Sequence, residues 1–419
     1  MTKTRKILVL LFSLIVLLVG CSKNNNLPKD NEHIDNLPKG NGAEKPNEDI
    51  PEEPFDPIEE KIKPLSLKEK VGQLVIAGFE GTDLNEDIME LIEEYKIGGF
   101  ILFSRNILDE VQTLELLNDI KEINSKNPIP LLLSIDEEGG KVSRLPKSYP
   151  RLPEAREFGK KNDKELSYEL GKVLGDRVKS LGFNMNFSPV LDINSNPNNP
   201  VIGNRAFGSE KESVAINGIQ VMLGIMDRDV ISVVKHFPGH GDTNLDSHIN
   251  LPIVNKTKNE LKSFELVPFI KAIENNVDAI MLAHILYPEI DNYPATMSSR
   301  IINELLRDEL GFTGVIISDD MTMGAIMENY TIEEGVLSFL KAGGDLALIC
   351  HGKNNVIKVI EEITKAVERG ELTEEEVNNK VYRILKLKDK YNINDNPIDK
   401  IDLSELNNRT IDLIDKIKK

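Results

Sequence analysis

"VISVVKHFPGHGDTNLDSH", residues 230–248, changes character partway along. Its first residues are β-branched and apolar. Lys235 and His236 then open a run of turn-formers and ionisable side chains. A strand buried on both faces reads as a continuous apolar run rather than as an alternation. Here such a strand delivers a lysine and a histidine at its end and passes straight into a polar loop. His236, His240 and His248, three of the chain's six histidines, fall in this one stretch.

The pattern recurs along the chain. Strands are predicted at "QLVIAGF" (73–79), "IGGFILF" (97–103), "PLLLSID" (130–136), "FNMNFSP" (183–189), "VISVVKHF" (230–237), "DAIMLAHI" (278–285), "GVIISDD" (314–320) and "DLALICH" (345–351). Amphipathic stretches separate them, and Ser66–Glu69, Thr257–Glu260, Thr331–Glu334 and Thr373–Glu376 have the spacing of helix capping boxes. Pro268 should kink or shorten the helix that starts at Thr257. Eight strand–helix repeats predict an α/β protein, a single (β/α)8 TIM-type barrel over residues 59–392. A doubly wound open sheet is the fold-level alternative. Residues 393–419 read as a detached or loosely packed tail helix after a Pro-containing break.

Residues 1–20 read as a targeting segment: a basic start with Lys3, Arg5 and Lys6, then the apolar run "ILVLLFSLIVLLV" and "LVGC". The run is short for a membrane span of roughly 20 residues, so a signal peptide is expected. Its ending resembles the lipobox of bacterial lipoproteins, which implies acylation of Cys21, membrane attachment through that lipid, and an extracytoplasmic address. Residues 21–58 are rich in Asn, Pro and acids, with little to bury, and read as a disordered tether. The net charge is −18, and removing the first twenty residues would leave −21. Nucleic acid is therefore excluded as a partner, since phosphate binding needs a positive field. With only Cys21 and Cys350, no disulfide framework exists. Tryptophan is absent and aromatics make up 5%, a composition suited to a small-sugar pocket rather than a long polysaccharide cleft.

In a barrel of this kind the C-terminal strand ends hold the active site. Asp136 follows the third strand, with Arg144 in the loop beyond it. Arg205 lies in "NPVIGNRAFG" after the fourth, Lys235 and His236 end the fifth, and Ser318, Asp319 and Asp320 end the seventh. Three readings of the histidine loop compete. A metal site needs three or four ligands with a supporting shell, and Pro238, Gly239 and Gly241 forbid the helix that would align His236 with His240. A polar knot of mutually satisfied groups is the second reading. Acid–base chemistry is the third and is preferred: His248 titrates near neutrality, and Asp246 can orient its ring. Gly239 and Gly241 would free the backbone to carry this pair over a pocket. Asp319, on a rigid strand end, suits a nucleophilic carboxylate. A carboxylate facing a protonatable group is what glycosidic cleavage with retention requires.

Together "KHFPGHGDTNLDSH", "DEEGGKVSR", "NRAFG" and "ISDDM" resemble glycoside hydrolase family 3, in particular its β-N-acetylglucosaminidase (NagZ-type) branch. The resemblance spans roughly Leu65 to Tyr391. It implies that Asp319 is the nucleophile, that His248 is the acid/base with Asp246 as partner, and that Asp136, Arg144, Arg205, Lys235 and His236 hold the terminal sugar. It implies an exo-acting enzyme that removes non-reducing GlcNAc from peptidoglycan fragments or chito-oligosaccharides, as a monomer without metal or other cofactor. A family 3 β-glucosidase, or a solute-binding lipoprotein with two hinged lobes, is the alternative. Asp320 is expected to face the barrel wall, Cys350 to be a buried small hydrophobe, and His284 and His351 to be core or rim histidines. Glu137 and Glu138 rank behind His248 as acids.

Overall fold

The computed structural model describes residues 55–419, apart from 244, 245, 248, 249 and 401. Cys21, the targeting segment, nearly all of the tether and His248 therefore lie outside the described residues. Each of the eight apolar runs forms a strand: β1 (Val75–Ala77), β2 (Gly99–Leu102), β3 (Leu132–Ile135), β4 (Met185–Asn186), β5 (Ile231–Phe237), β6 (Ala279–Leu282), β7 (Val315–Asp320) and β8 (Leu346–Ile349). All neighbours pair in parallel, and β8 closes on β1 with Ile76 opposite Leu348. This is the (β/α)8 barrel; neither the open sheet nor the two-lobed alternative is formed.

Burial explains the apolar runs. Every strand residue is buried except the last two of β7, Asp319 and Asp320. Two pairings lose regular register: β5 with β6 between Val234 and Phe237, and β7 with β8 between Ile317 and Asp320. Lys235, His236, Ser318 and Asp319 sit in these two irregularities. Such breaks re-aim side chains next to functional sites.

The four capping boxes form as their spacing predicts, on helices beginning at Leu67, Lys258, Ile332 and Glu374. Pro268 splits its helical region into Lys258–Ser263 and Val267–Glu274, taking a first-turn position in the second, where its missing N–H costs nothing. The first described helix, Pro57–Ile62, starts inside the stretch read as tether. It is capped by Asp56, whose carboxylate also accepts from the Tyr382 hydroxyl.

The tail helix is a correction. Ser404–Lys418 is packed, not detached: Leu406, Thr410, Leu413 and Ile417 are buried, and its neighbour is the helix Lys164–Leu181. Arg409 pairs with Asp176, and the Asn407 amide donates to the Ser148 carbonyl at 2.9 Å. The physical reason was present in the sequence as an apolar stripe at helical spacing. No helix among the described residues is long and apolar enough to cross a membrane.

Candidate active site

At the C-terminal end of the barrel lies a cavity of about 300 Å³, at the small end of the range for ligand pockets. Asp136, Arg144, Arg205, Lys235, His236 and Asp319 all line it, together with Glu138, His240 and Ser247. Six of the eight predicted catalytic and sugar-holding side chains therefore meet in one place. Asp246 is half-buried and its carbonyl accepts from the Asn250 amide; His248 is not among the described residues.

The floor is built from charge pairs between distant loops. Lys235 Nζ lies 2.7 Å from Asp136 Oδ1 and 2.7 Å from Glu138 Oε1. Arg205 forks onto the same glutamate, with Nε 2.9 Å from Oε2 and Nη2 2.8 Å from Oε1. Burial would raise the Glu138 pKa, but Arg205 and Lys235 outweigh it and hold the carboxyl well below its usual range. In the same way, Asp136 and Glu138 outweigh burial at Lys235 and raise its pKa. Glu138 is thus a fixed anion and unsuited to donate a proton at neutral pH. Glu137 is buried elsewhere, 3.2 Å from Arg177, with burial pushing its carboxyl up against that guanidinium. Of the two glutamates, Glu138 therefore faces the cavity as an anion, whereas Glu137 faces Arg177.

Arg144 differs from these. Its Nη2 is 3.9 Å from Asp136 Oδ2, its buried Nε has no hydrogen-bond partner, and its guanidinium lies 5.9 Å from the centre of the Phe103 ring. A cation with donors to spare beside a cavity can take a ligand oxygen.

Asp319 comes off the irregular end of β7, where its Oδ1 accepts from the Asp320 amide at 2.9 Å. Burial pushes its pKa up, but His284, His236, that amide and Lys235 more than offset this and lower it. The carboxylate is ionised and placed on the cavity wall. Asp320 also reaches the cavity lining, contrary to a simple alternation of faces, because the register breaks here. Its oxygens are committed locally, accepting from the Thr322 amide and hydroxyl and from the Cys350 amide. Cys350 is a buried thiol, as expected, and its pKa is pushed well up by burial. His284 is a core histidine between the Thr296 hydroxyl and the Asp320 carbonyl, whereas the exposed His351 is a rim residue stacked on Phe103.

Sequence reasoning missed Asp192. Its Oδ2 is 2.6 Å from His236 Nδ1, and its Oδ1 accepts from the His240 amide at 2.7 Å. The signal available was an acid just after the fourth apolar run, in "FSPVLD". Gly239 has φ +132°, and a Cβ on Gly241 would lie 1.7 Å from the Ile193 carbonyl oxygen. They permit a positive-φ turn at Gly239 and a close backbone approach at Gly241. No group of three or more His, Cys, Asp or Glu that could hold a metal occurs among the described residues.

Known proteins are similar to this chain in sequence and fold. The β-hexosaminidase A of Pseudoalteromonas piscicida is 34% identical over 335 residues, covering 74% of this chain, while this chain spans 56% of that protein. The β-hexosaminidase of Thiobacillus denitrificans is 38% identical over 277 residues, 65% of this chain and 76% of its own. The structure of a glycoside hydrolase family 3 β-N-acetylglucosaminidase from Paenibacillus sp. superposes with a TM-score of 0.80 at 40% identity, covering 83% of this chain and 68% of that one. The model of the glycosyl hydrolase family 3 N-terminal domain matches residues 66–387, which include all eight strands and every cavity residue described above, so this chain belongs to glycosyl hydrolase family 3.

Proposed function

We propose that this chain is a retaining exo-β-N-acetylglucosaminidase working through a covalent glycosyl–Asp319 intermediate. The observation that carries the reading is an ionised, wall-mounted Asp319 in a cavity sized for one sugar and floored by fixed charges. Asp319 attacks the anomeric carbon as the glycosidic bond breaks. His248 gives its proton to the departing oxygen, and Asp246 stabilises and orients the ring. Water then attacks the anomeric carbon of the glycosyl ester, giving a proton to His248 as the Asp319 carboxylate leaves. An Asp–His pair takes the place that a second carboxylate holds in most retaining glycosidases. Asp136, Arg144, Arg205, Lys235 and His236 grip the hydroxyls and the N-acetyl carbonyl. Cross-paired charges such as Lys235 with Asp136 are already oriented, which lowers the entropic cost of gripping a sugar. Peptidoglycan fragments and chito-oligosaccharides are the substrates, with no cofactor required.

The targeting segment supports a second part of the reading, that the enzyme is a monomer anchored through a lipid on Cys21 to the outer face of the bacterial membrane. Cys21→Ala should then move activity from the membrane to the soluble fraction. A variant that stays membrane-bound with its first twenty residues intact would mark an uncleaved anchor.

The enzyme should hydrolyse an aryl β-GlcNAc and leave the matching β-glucoside nearly untouched; equal rates would favour the β-glucosidase alternative. A fluorinated GlcNAc donor should label Asp319, and Asp319→Ala should lose on the order of 10⁴-fold in kcat, the scale seen when a nucleophile system is broken. A label on Asp136, Asp320 or Glu138 would refute the assignment.

A further inference from the structure

Ser247 lies between Asp246 and His248 in the chain, and it is tied down twice. Its Oγ is 3.0 Å from His240 Nε2, and its carbonyl accepts from the Ala325 amide at 3.2 Å, just beyond β7. His240 is itself fixed. Its amide donates to Asp192 Oδ1, and its Nδ1 lies 3.0 Å from the Thr243 hydroxyl. The other Asp192 oxygen holds His236, a residue of the cavity wall. Asp192, His240 and Ser247 are all buried. A continuous hydrogen-bonded line therefore runs from the sugar-facing wall to the loop bearing the acid/base pair.

We infer that His240 and Ser247 are positioning residues for the acid/base pair Asp246 and His248, which flank Ser247 in the chain. This rests on the acid/base reading above and assigns new residues to it. Two features make His240 suited to the task. A neutral imidazole offers one donor and one acceptor, which matches two flanking hydroxyls. Burial, with His236 next in size, lowers its pKa to about 4, so it stays neutral across the working range and does not compete as an acid. Ser247 lines the cavity, and its hydroxyl is bonded to His240. Its contribution is geometric. Displacing a catalytic group by about 1 Å can cost 10²-fold.

Ser247→Ala in the full-length enzyme tests this, assayed on chitobiose, whose leaving group needs a proton, and on dinitrophenyl β-GlcNAc, whose leaving group does not. The expected result is a loss of about 10-fold or more in kcat/KM on chitobiose and less than about 3-fold in kcat/KM on the aryl substrate, since kcat/KM reports the bond-breaking step while aryl kcat also reports the water step that His248 assists. Ser247→Thr, which keeps the hydroxyl, should recover most of the chitobiose rate. If Ser247→Ala does not fold, Thr243→Ala, which removes the other hydroxyl from the His240 ring, should show a weaker form of the same split. Equal losses in kcat/KM on the two substrates, or no loss on chitobiose, would overturn the inference. His248→Ala measured in parallel separates the two levels. If it too lacks leaving-group dependence, the acid/base reading fails and this inference falls with it. If it shows the dependence and Ser247→Ala does not, only the positioning role falls.

Discussion

The two ends of the barrel bury comparable charge to different ends. At the N-terminal end, Asp345 stands just before β8 and is fully buried. It takes Arg307 Nη2 at 2.6 Å, Arg383 Nη2 at 2.7 Å and the Ile316 amide at 2.8 Å. Arg307 turns its other nitrogen to the Phe312 and Gly314 carbonyls. Lys388 donates to Gln73 Oε1 and the Gly98 carbonyl, and Lys380 to the Gly344 carbonyl. These groups are paired with acceptors of the protein itself. At the mouth, the pairs among Asp136, Glu138, Lys235 and Arg205 surround a cavity, and the buried Nε of Arg144 has no partner at all. Burial and pairing of charge alone therefore do not mark a site. What separates the mouth is that its charge pairs stand on strands whose register breaks where the reactive side chains emerge.

Three substitutions probe that contrast. Lys235→Met at the mouth should cost the most in catalysis, about 10²-fold or more in kcat/KM, because it unties Asp136 from Glu138 and leaves both carboxylates facing the sugar without their shared cation. Steady-state kinetics on an aryl β-GlcNAc reads this, and a near-normal kcat/KM would show that the floor is held by Arg205 alone. Asp345→Asn at the opposite end should do the reverse. Leaving Arg307 and Arg383 without their counter-charge should destabilise the fold by about 3 kcal/mol, with kcat and KM of the folded enzyme unchanged. Thermal melting beside kinetics checks it, and a fall in kcat without a fall in melting temperature would join the two ends functionally.

The smallest effect belongs to Lys388. Burial lowers its pKa to about 7, from the ordinary lysine value of 10.5. As pH falls through that window the unfolded chain takes up a proton that the folded chain refuses. This residue's contribution therefore makes stability decline from about pH 10.5 to about pH 7 and level off below. Lys388→Met should flatten the dependence of melting temperature on pH between 7 and 10 while leaving activity intact. Parallel pH curves for the two proteins would mean that Lys388 is charged in the folded state.

How much of this was legible in the sequence depends on the reach of each interaction. The four capping boxes join residues three apart, so spacing alone predicted them. The eight strands were readable because burial on both faces leaves a continuous apolar run. Strand count and parallel pairing then placed Asp136, Lys235, His236 and Asp319 at one end of the barrel. The tail helix was misjudged because the Pro-containing break before it was weighed above its apolar stripe at Leu406, Leu413 and Ile417.

What only the tertiary structure decided is which charges meet. Lys235 pairs with Asp136 across 99 positions, Arg205 with Glu138 across 67, and His236 with Asp192 across 44. No local pattern marks such partners, since each is an ordinary acid or base until closure of the barrel removes water from between them. The same closure decides which glutamate of Glu137 and Glu138 faces the cavity and which faces Arg177. It also decides that His240 stays neutral beside Ser247. The sequence by itself determined the scaffold, because propensity, capping and apolar burial act over a few residues. The protonation states and the free donors of the site came from folding, because desolvation and Coulomb attraction depend on distances in space rather than along the chain.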